Sequence, residues 1–326
     1  MNTKIKTVVS GQWPLICSLF LLLAFAPGVE AKTYLSIATG GEAGVYYPLG
    51  SALAEMLTNR LPDAEVTART SDASAANVNM IAGREAELAF VQNDVALRAV
   101  NGEKPFKAPV RNLSMIASLY PEHVQCVTVR SNGVKTLSDL RGKRVSVGSI
   151  NSGTIDSVNA VLSVAGIKYK DINADFLDFA NTSLRIQDGQ LDAGFILAGY
   201  PTAAVADLAA KKDLDIVAFE EELLDKLSAA YPFFIKDVIP ARTYDGIDHD
   251  TQTIAVMAVL VCDSGMPDDL VYDITKAIFD NLPELAMAHP RAETISLDKA
   301  LSAAVINVHP GAAKYYTEKG LKIPAF

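Results

Sequence analysis

Between residues 34 and 102 the sequence alternates extended apolar runs with helical ones, and this alternation constrains the fold more than any other feature. Residues 34–38 read as a strand that runs into the loop 39–50, Thr-Gly-Gly-Glu-Ala-Gly-Val-Tyr-Tyr-Pro-Leu-Gly. Beyond it Leu49, Ala52, Leu53, Met56, Leu57 and Leu61 keep the three-four spacing of one buried helix face, and Pro62 stops the helix. Residues 65–70 alternate as a second strand, and Ser74 is placed to cap a short helix that Gly83 ends. Residues 87–92 give a third strand, and Asn93 and Asp94 cap a third helix. Such alternation builds a parallel sheet, and open parallel sheets bind ligands at the carboxyl ends of their strands. Residues 39–47, 71–77 and 92–94 occupy those ends.

The glycines of the first loop let the backbone turn sharply, and the helix that follows starts with unpaired amides at the positive end of its dipole. That outlines an anion cradle. The loop has neither the Lys-Ser/Thr of a P-loop nor a complete G-x-G-x-x-G, and a turn chosen only for geometry would look the same. The pattern then returns. Residues 144–148 read as a strand, Ser149-Ile-Asn-Ser-Gly-Thr154 turns it into a helix, and Ile155, Val158, Val161, Leu162 and Ala165 form that helix's buried face up to Gly166. Strand 174–179, a helix capped near Asn181 or Thr182, strand 193–197 and a helix from near Pro201 follow. Two such strand-loop-helix units imply two similar α/β lobes rather than one large sheet.

Residues 115–119 and 125–129 read as two further strands, and the apolar run 254–262 as a buried strand returning antiparallel to 125–129. Pro267, Asp268 and Asp269 open a helix with acids at its positive end, Ser296 caps another, and His309-Pro310-Gly311 introduces the last. The expected lobes are therefore 32–123 with 263–326, and an inserted 124–262.

Residues 1–31 resemble a secretory signal peptide, with Lys4 and Lys6 before an apolar core and small residues before Ala31. The core is shorter than the roughly 20 residues a membrane span needs, so cleavage and a mature periplasmic chain from Lys32 are expected. The balance of 29 basic to 38 acidic residues, a net charge of −9, argues against a nucleic-acid partner. It leaves a small anionic ligand open, because local amides outweigh a distant field. Cys126 and Cys262 lie outside the leader, and pairing or two separate buried thiols both fit. His123, His249, His289 and His309 are scattered, with no Ser-His or Cys-His pairing and no zinc-like spacing, so no catalytic residue, metal or cofactor is expected.

The loop 39–50, the loop 149–154, Gly199-Tyr200-Pro201, and His309-Pro310-Gly311-Ala312 with Tyr315-Tyr316 resemble the TAXI family, in the family's order and over essentially the whole mature chain. Those proteins are extracytoplasmic solute-binding subunits of tripartite ATP-independent periplasmic (TRAP) transporters. The resemblance implies an α/β fold of the periplasmic binding protein type II kind, two lobes joined by a hinge with the ligand cleft between them. It also implies a TRAP membrane permease as partner and a small carboxylate ligand, an amino acid or keto acid such as glutamate or 2-oxoglutarate; the receptor itself is expected to be a monomer. One departure is Ser71-Asp72-Ala73-Ser74, where the family often reads Thr-Gly-Ala-Ser.

A carboxylate held between lobes needs preorganised donors. Gly40, Gly44 and Val45 can offer amides, and Ser71, Ser74, Ser149, Ser152 and Thr154 hydroxyls, with Gly153 and Gly199 in the loops that approach it. For Ser74 and Thr154, capping their own helices is an equal alternative. Of Tyr46 and Tyr47, one ring can cover the ligand while the other joins the core. Asn77 and Gln92 can bind either end of the ligand or serve structural hydrogen bonds. Arg69 and Arg185 are the nearest candidates for a carboxylate clamp, with surface positions the plainer reading. An exported α/β hydrolase or transferase and a binding module for a sensor remain alternative functions.

Overall fold

The computed structural model describes residues 32–326 and, before them, Thr3, Lys4 and Lys6. The apolar core and cleavage site read in the leader lie outside the described residues. Among the described residues no helix is long and apolar enough to cross a membrane.

The chain forms β1 (Thr33–Ala38), α1 (Tyr46–Arg60), β2 (Ala64–Arg69), α2 (Ser74–Ala82), β3 (Leu88–Gln92) and α3 (Asn93–Asn101). The long β4 (Leu113–Val129) leads to β5 (Arg144–Ser146), α4 (Gly153–Val164), β6 (Asn173–Asp175), α5 (Phe179–Gln187), β7 (Ala193–Ala198) and α6 (Ala203–Ala209). Then come β8 (Leu214–Ile216), α7 (Glu221–Ala230), β9 (Ile235–Ile239), the long β10 (Thr251–Asp263), α8 (Asp268–Asp280), α9 (Leu282–Ala288) and α10 (Pro310–Glu318).

Hydrogen bonds join the strands into one sheet in the order β2-β1-β3-β10-β4-β7-β5-β6, with β8 beside β4 and β9 beside β10. Its two ends are alike: β1 is parallel to β2 and β3, and β5 is parallel to β6 and β7. These trios are the two strand-helix repeats read in the sequence. The two trios share one sheet, where separate sheets were expected, because the antiparallel pair β4 and β10 carries the ladder from one trio to the other. The two strands expected at 115–119 and 125–129 are one. Pro121 sits at a bulge where the β10 register shifts between Met257 and Val259, so its missing N–H costs no regular ladder bond. The run 254–262 does return antiparallel to β4, but against its first part, Ala255 facing His123 and Asp263 facing Leu113, while Cys126 faces Phe195 of β7.

Several local readings shift. Ser74 opens α2 rather than capping it; its hydroxyl accepts the Gln92 N–H at 3.1 Å. The third helix begins at Asn93, with Gln92 before it as cap residue. The sixth strand ends at Asp175, and Asp178 caps α5 by accepting the Asn181 N–H at 2.7 Å, so the cap lies three residues before the expected one. Ser296 precedes only a 3-10 turn, Leu297–Lys299. Cys126 and Cys262 are separate, buried thiols, and burial raises both well above the usual range.

The C-terminal helices α8 and α10 pack on the α1 side of the sheet, where Tyr316 donates its hydroxyl to the Ile116 carbonyl at 2.8 Å. Helix α1 lies close on the end of β1 because Gly50 has no side chain: a Cβ there would overlap the buried Thr39 methyl and press on Phe90 at 3.4 Å. An exposed helical Gly→Ala change gains about 1 kcal/mol in helix propensity, whereas overpacking costs about 1–3 kcal/mol. Gly50→Ala is therefore expected to lower the urea midpoint without changing the m-value; a raised midpoint would show that α1 shifts freely on β1.

Candidate functional site

The loops at the carboxyl ends of the two trios face each other. Ala38 runs into Gly40, Gly41, Gly44 and Val45, and α1 begins at Tyr46 with no side-chain cap and no acid in its first turn. The Val45, Tyr46 and Tyr47 amides take no protein partner among the described residues. Opposite, Ser152 caps α4, donating its hydroxyl to the Ser149 carbonyl at 2.7 Å and accepting from the Ile155 amide at 3.4 Å.

Two connected chambers lie between the loops. The inner one, about 50 Å3, is walled by Gly40, Gly41, Gly44, Val45, Tyr46, Ala73, Ser74 and Gln92 on one side and by Gly153, Thr154, Phe179, Leu197 and Ala198 on the other, with Glu122 at its base. The outer one, about 460 Å3, shares Gly41, Gly44, Ala73, Thr154 and Phe179 and adds Glu42, Ala43, Ser71, Asp72, Ser149, Ser152, Asp178 and Ala180. Asp72, the departure noted in the sequence, is at this outer wall.

The loops touch. The Asn151 carbonyl accepts the Ala75 and Ala76 amides at 3.1 Å each, which satisfies the start of α2 from across the cleft. Ala73 and Asn151, on either side of that contact, have φ of 71° and 72°, a left-handed conformation costly for a residue with a Cβ. Gly153 fits only because it has no Cβ, which would overlap the Gln92 Oε1. The Ala204 amide donates to the Ala43 carbonyl at 3.2 Å. Arg98 of α3 pairs with Asp94 on its own helix and with Asp156 of α4 at 3.3 Å.

Glu122 is the ionisable group at the centre. It lies on β4 and is only 2 % exposed, and the Tyr46 hydroxyl donates to its Oε2 at 3.2 Å. Burial pushes its carboxyl up to about 8, against the Gln92 and Tyr46 hydrogen bonds that favour the charged form, with nearby Asp94 adding to the rise. Burial also holds the Tyr46 hydroxyl well above its ordinary value. Gln92 is 3 % exposed, and its Oε1 has no hydrogen-bond partner. Among the described residues, neither chamber is lined by lysine, arginine or histidine.

Of the residues singled out in the sequence, Gly40, Gly44, Val45, Tyr46, Ser74, Gln92, Gly153 and Thr154 line the inner chamber, and Ser71, Ser149 and Ser152 the outer. Three are placed elsewhere. Tyr47 lines neither chamber. Asn77 is fully buried and ties the strand ends together, its Nδ2 donating to the Thr39 carbonyl at 2.6 Å and the Phe90 carbonyl at 2.7 Å. Gly199 packs under the Arg291 stem and the Tyr120 ring, where a Cβ would come within 2.6 Å of Arg291 Cγ. Arg69 donates to the Glu85 carbonyl and Arg185 pairs with Asp175, both outside the chambers. His123, next to Glu122 but on the other face of β4, contacts Asp237 at 2.9 Å and the Tyr200 ring.

The reading missed Glu122, Phe179, Leu197 and Ala198. Glu122 carried a signal: it is the one acidic residue in a 17-residue strand.

The binding-protein component of an ABC phosphonate transporter from Pseudomonas aeruginosa shares the fold at a TM-score of 0.52 and 10% identity, over 89% of this chain and 95% of that one. The alkanesulfonate-binding protein SsuA from Xanthomonas axonopodis pv. citri, bound to MOPS, gives 0.48 at 15% identity, over 88% and 84%. The fold, shared with the phosphonate-transporter component, is α/β of the periplasmic binding protein type II kind. A family model matches residues 37–320, and the chain belongs to the NMT1-like family.

Proposed function

We propose that the protein is an extracytoplasmic solute-binding receptor, exported by its leader, that closes two lobes on a small carboxylate and hands it to a membrane permease. The lobes are residues 32–123 with 263–326, and residues 124–262, and the β4–β10 pair is the hinge between them. The observation that carries this reading is the chamber itself: two strand-to-helix loops, one from each trio, wall it and touch across it. The free Val45 and Tyr46 amides at the start of α1 and the Thr154 hydroxyl supply donors for the carboxylate of an amino acid or keto acid, glutamate and 2-oxoglutarate among them. No bond is made or broken. Closure and binding are linked because the two walls form one site only when they meet. The permease of choice is the TRAP kind, on the resemblance of residues 39–50, 149–154 and 199–201; a receptor of this fold serves an ABC permease equally well, as the phosphonate-transporter component shows for itself.

A thermal-shift screen of amino acids, keto acids and dicarboxylates tests the receptor reading. A true ligand at about 100 times its Kd adds roughly 2.7 kcal/mol of stability, which raises the midpoint by several degrees. A flat response to every solute would remove the receptor function.

The Arg98 bridge predicts the effect of loosening closure. Arg98→Ala leaves Asp94 and Asp156 facing each other across the cleft, so the closed form loses population. Affinity is expected to fall about 5- to 50-fold, mainly through faster release, while the empty protein stays folded. Stopped-flow dissociation measures this, and an unchanged off-rate would show that Arg98 has no part in closure.

A further inference from the structure

We propose that Gln92 Oε1 and the Glu122 carboxylate form a subsite for a cationic, N–H-donating head group, so that the receptor selects amine-bearing solutes over their keto counterparts. This rests on the receptor reading above and names the head group that its inner chamber takes.

On its Gln92 side the wall presents an acceptor without a donor. Gln92 Oε1 is buried, lies over Gly153 in the wall of the inner chamber, and has no partner. A buried acceptor left unpaired costs free energy that a ligand donor recovers. Beside it, Glu122 receives the Tyr46 hydroxyl and the Gln92 side chain. An ionised Glu122 must be met by the Gln92 Nε2, which turns Oε1 toward the chamber. Arg98 is paired with Asp94 and Asp156, Arg291 lies over the Tyr200 ring at 3.8 Å from its centroid, and neither lines the inner chamber.

Size agrees. A water needs at least about 10–15 Å3 of such space, so the inner chamber holds a head group of a few heavy atoms and the rest of the solute extends into the outer chamber. There Glu42, Asp72 and Asp178 ring the wall, and a second carboxylate on the solute would meet them. The favoured solute has one carboxylate, one ammonium and a neutral or cationic side chain.

Proton linkage follows. The groups facing Glu122 are Tyr46 from α1, Gln92 at the end of β3, Asp94 at the start of α3, and Tyr120 on its own strand. Both tyrosine hydroxyls are held protonated by burial, and Asp94 is raised by burial while paired with Arg98. With its carboxyl pushed up to about 8, Glu122 is mostly neutral at pH 6–7 when the chamber is empty. An ammonium in the chamber favours the ionised form, so binding releases a proton. Affinity for an amine then rises about tenfold per pH unit from pH 6 towards 8 and levels off above it.

The test is calorimetric titration of the purified protein with L-alanine, L-leucine, L-glutamine, L-lysine and L-glutamate and with the matching 2-oxo acids, at pH 6, 7 and 8 in buffers of differing ionisation enthalpy. Expected are amines at least about 100-fold tighter than their oxo counterparts, L-glutamate weaker than L-glutamine, and net proton release. Glu122→Gln should lose the preference and flatten the pH profile, and Gln92→Leu should cost about tenfold. The unfolding midpoint of each empty variant controls for folding. Oxo acids binding as tightly as amines, or a pH profile unchanged in Glu122→Gln, overturns the subsite and leaves the receptor intact. Binding of no solute in either set overturns the receptor reading together with it.

Discussion

The pairing of β4 with β10 is the interaction on which the rest of the molecule depends. Each trio of parallel strands is too small to close a sheet alone, and each takes its antiparallel neighbour from this pair, β3 from β10 and β7 from β4. The pair is almost wholly buried and carries two register irregularities, between Met257 and Val259 and between Leu260 and Val261. Bulges bend and twist a ladder without dissolving it. A bend here moves one set of loops against the other while every core strand keeps its partners. Glu122 stands on this same pair, one residue from the bulged Pro121, so the group at the base of the chamber belongs to the element that would flex.

The chamber is bound by backbone more than by charge. Helix α1 starts bare, α2 has its first amides satisfied by a carbonyl from across the cleft, and α4 is capped by Ser152. Like α4 at Gly153 and Thr154, helix α1 presents free amides to the inner chamber. Its partial positive charge and the carboxyl at the chamber base are opposed in sign and separated by the space a solute would fill. A dipolar solute suits such a field better than a uniformly charged one. The net acidity of the chain is consistent with this, since neither chamber adds a basic side chain.

Much of this was legible in the sequence because it is local. Glycine loops between strand and helix, the three-four spacing of α1 and α4, and the strand-helix alternation are short-range patterns, and they located both walls of the chamber. What failed depended on distant partners. Ser74 looks like a cap, but its hydroxyl goes to the Gln92 amide; Asn77 looks like a ligand contact, but its amide binds two strand ends; Gly199 makes room for Arg291. Glu122 was overlooked because it falls in the gap between the two strands read at 115–119 and 125–129. Only the β10 register shows that the strand runs on and buries it.

Gly153 has a consequence for how proteins of this design diversify. Its Cα rests on the Gln92 amide, and any larger residue there would hold the two walls apart. The inner chamber is therefore fixed on that side by geometry, whereas Glu42 and Asp72 in the wall of the outer chamber cap no helix. Descendants of one ancestral chain can exchange those two positions at small structural cost, whereas a change at Asp178 would also remove the cap of α5. New solute preferences would then arise by changing the recognised tail, with the recognised head inherited unaltered.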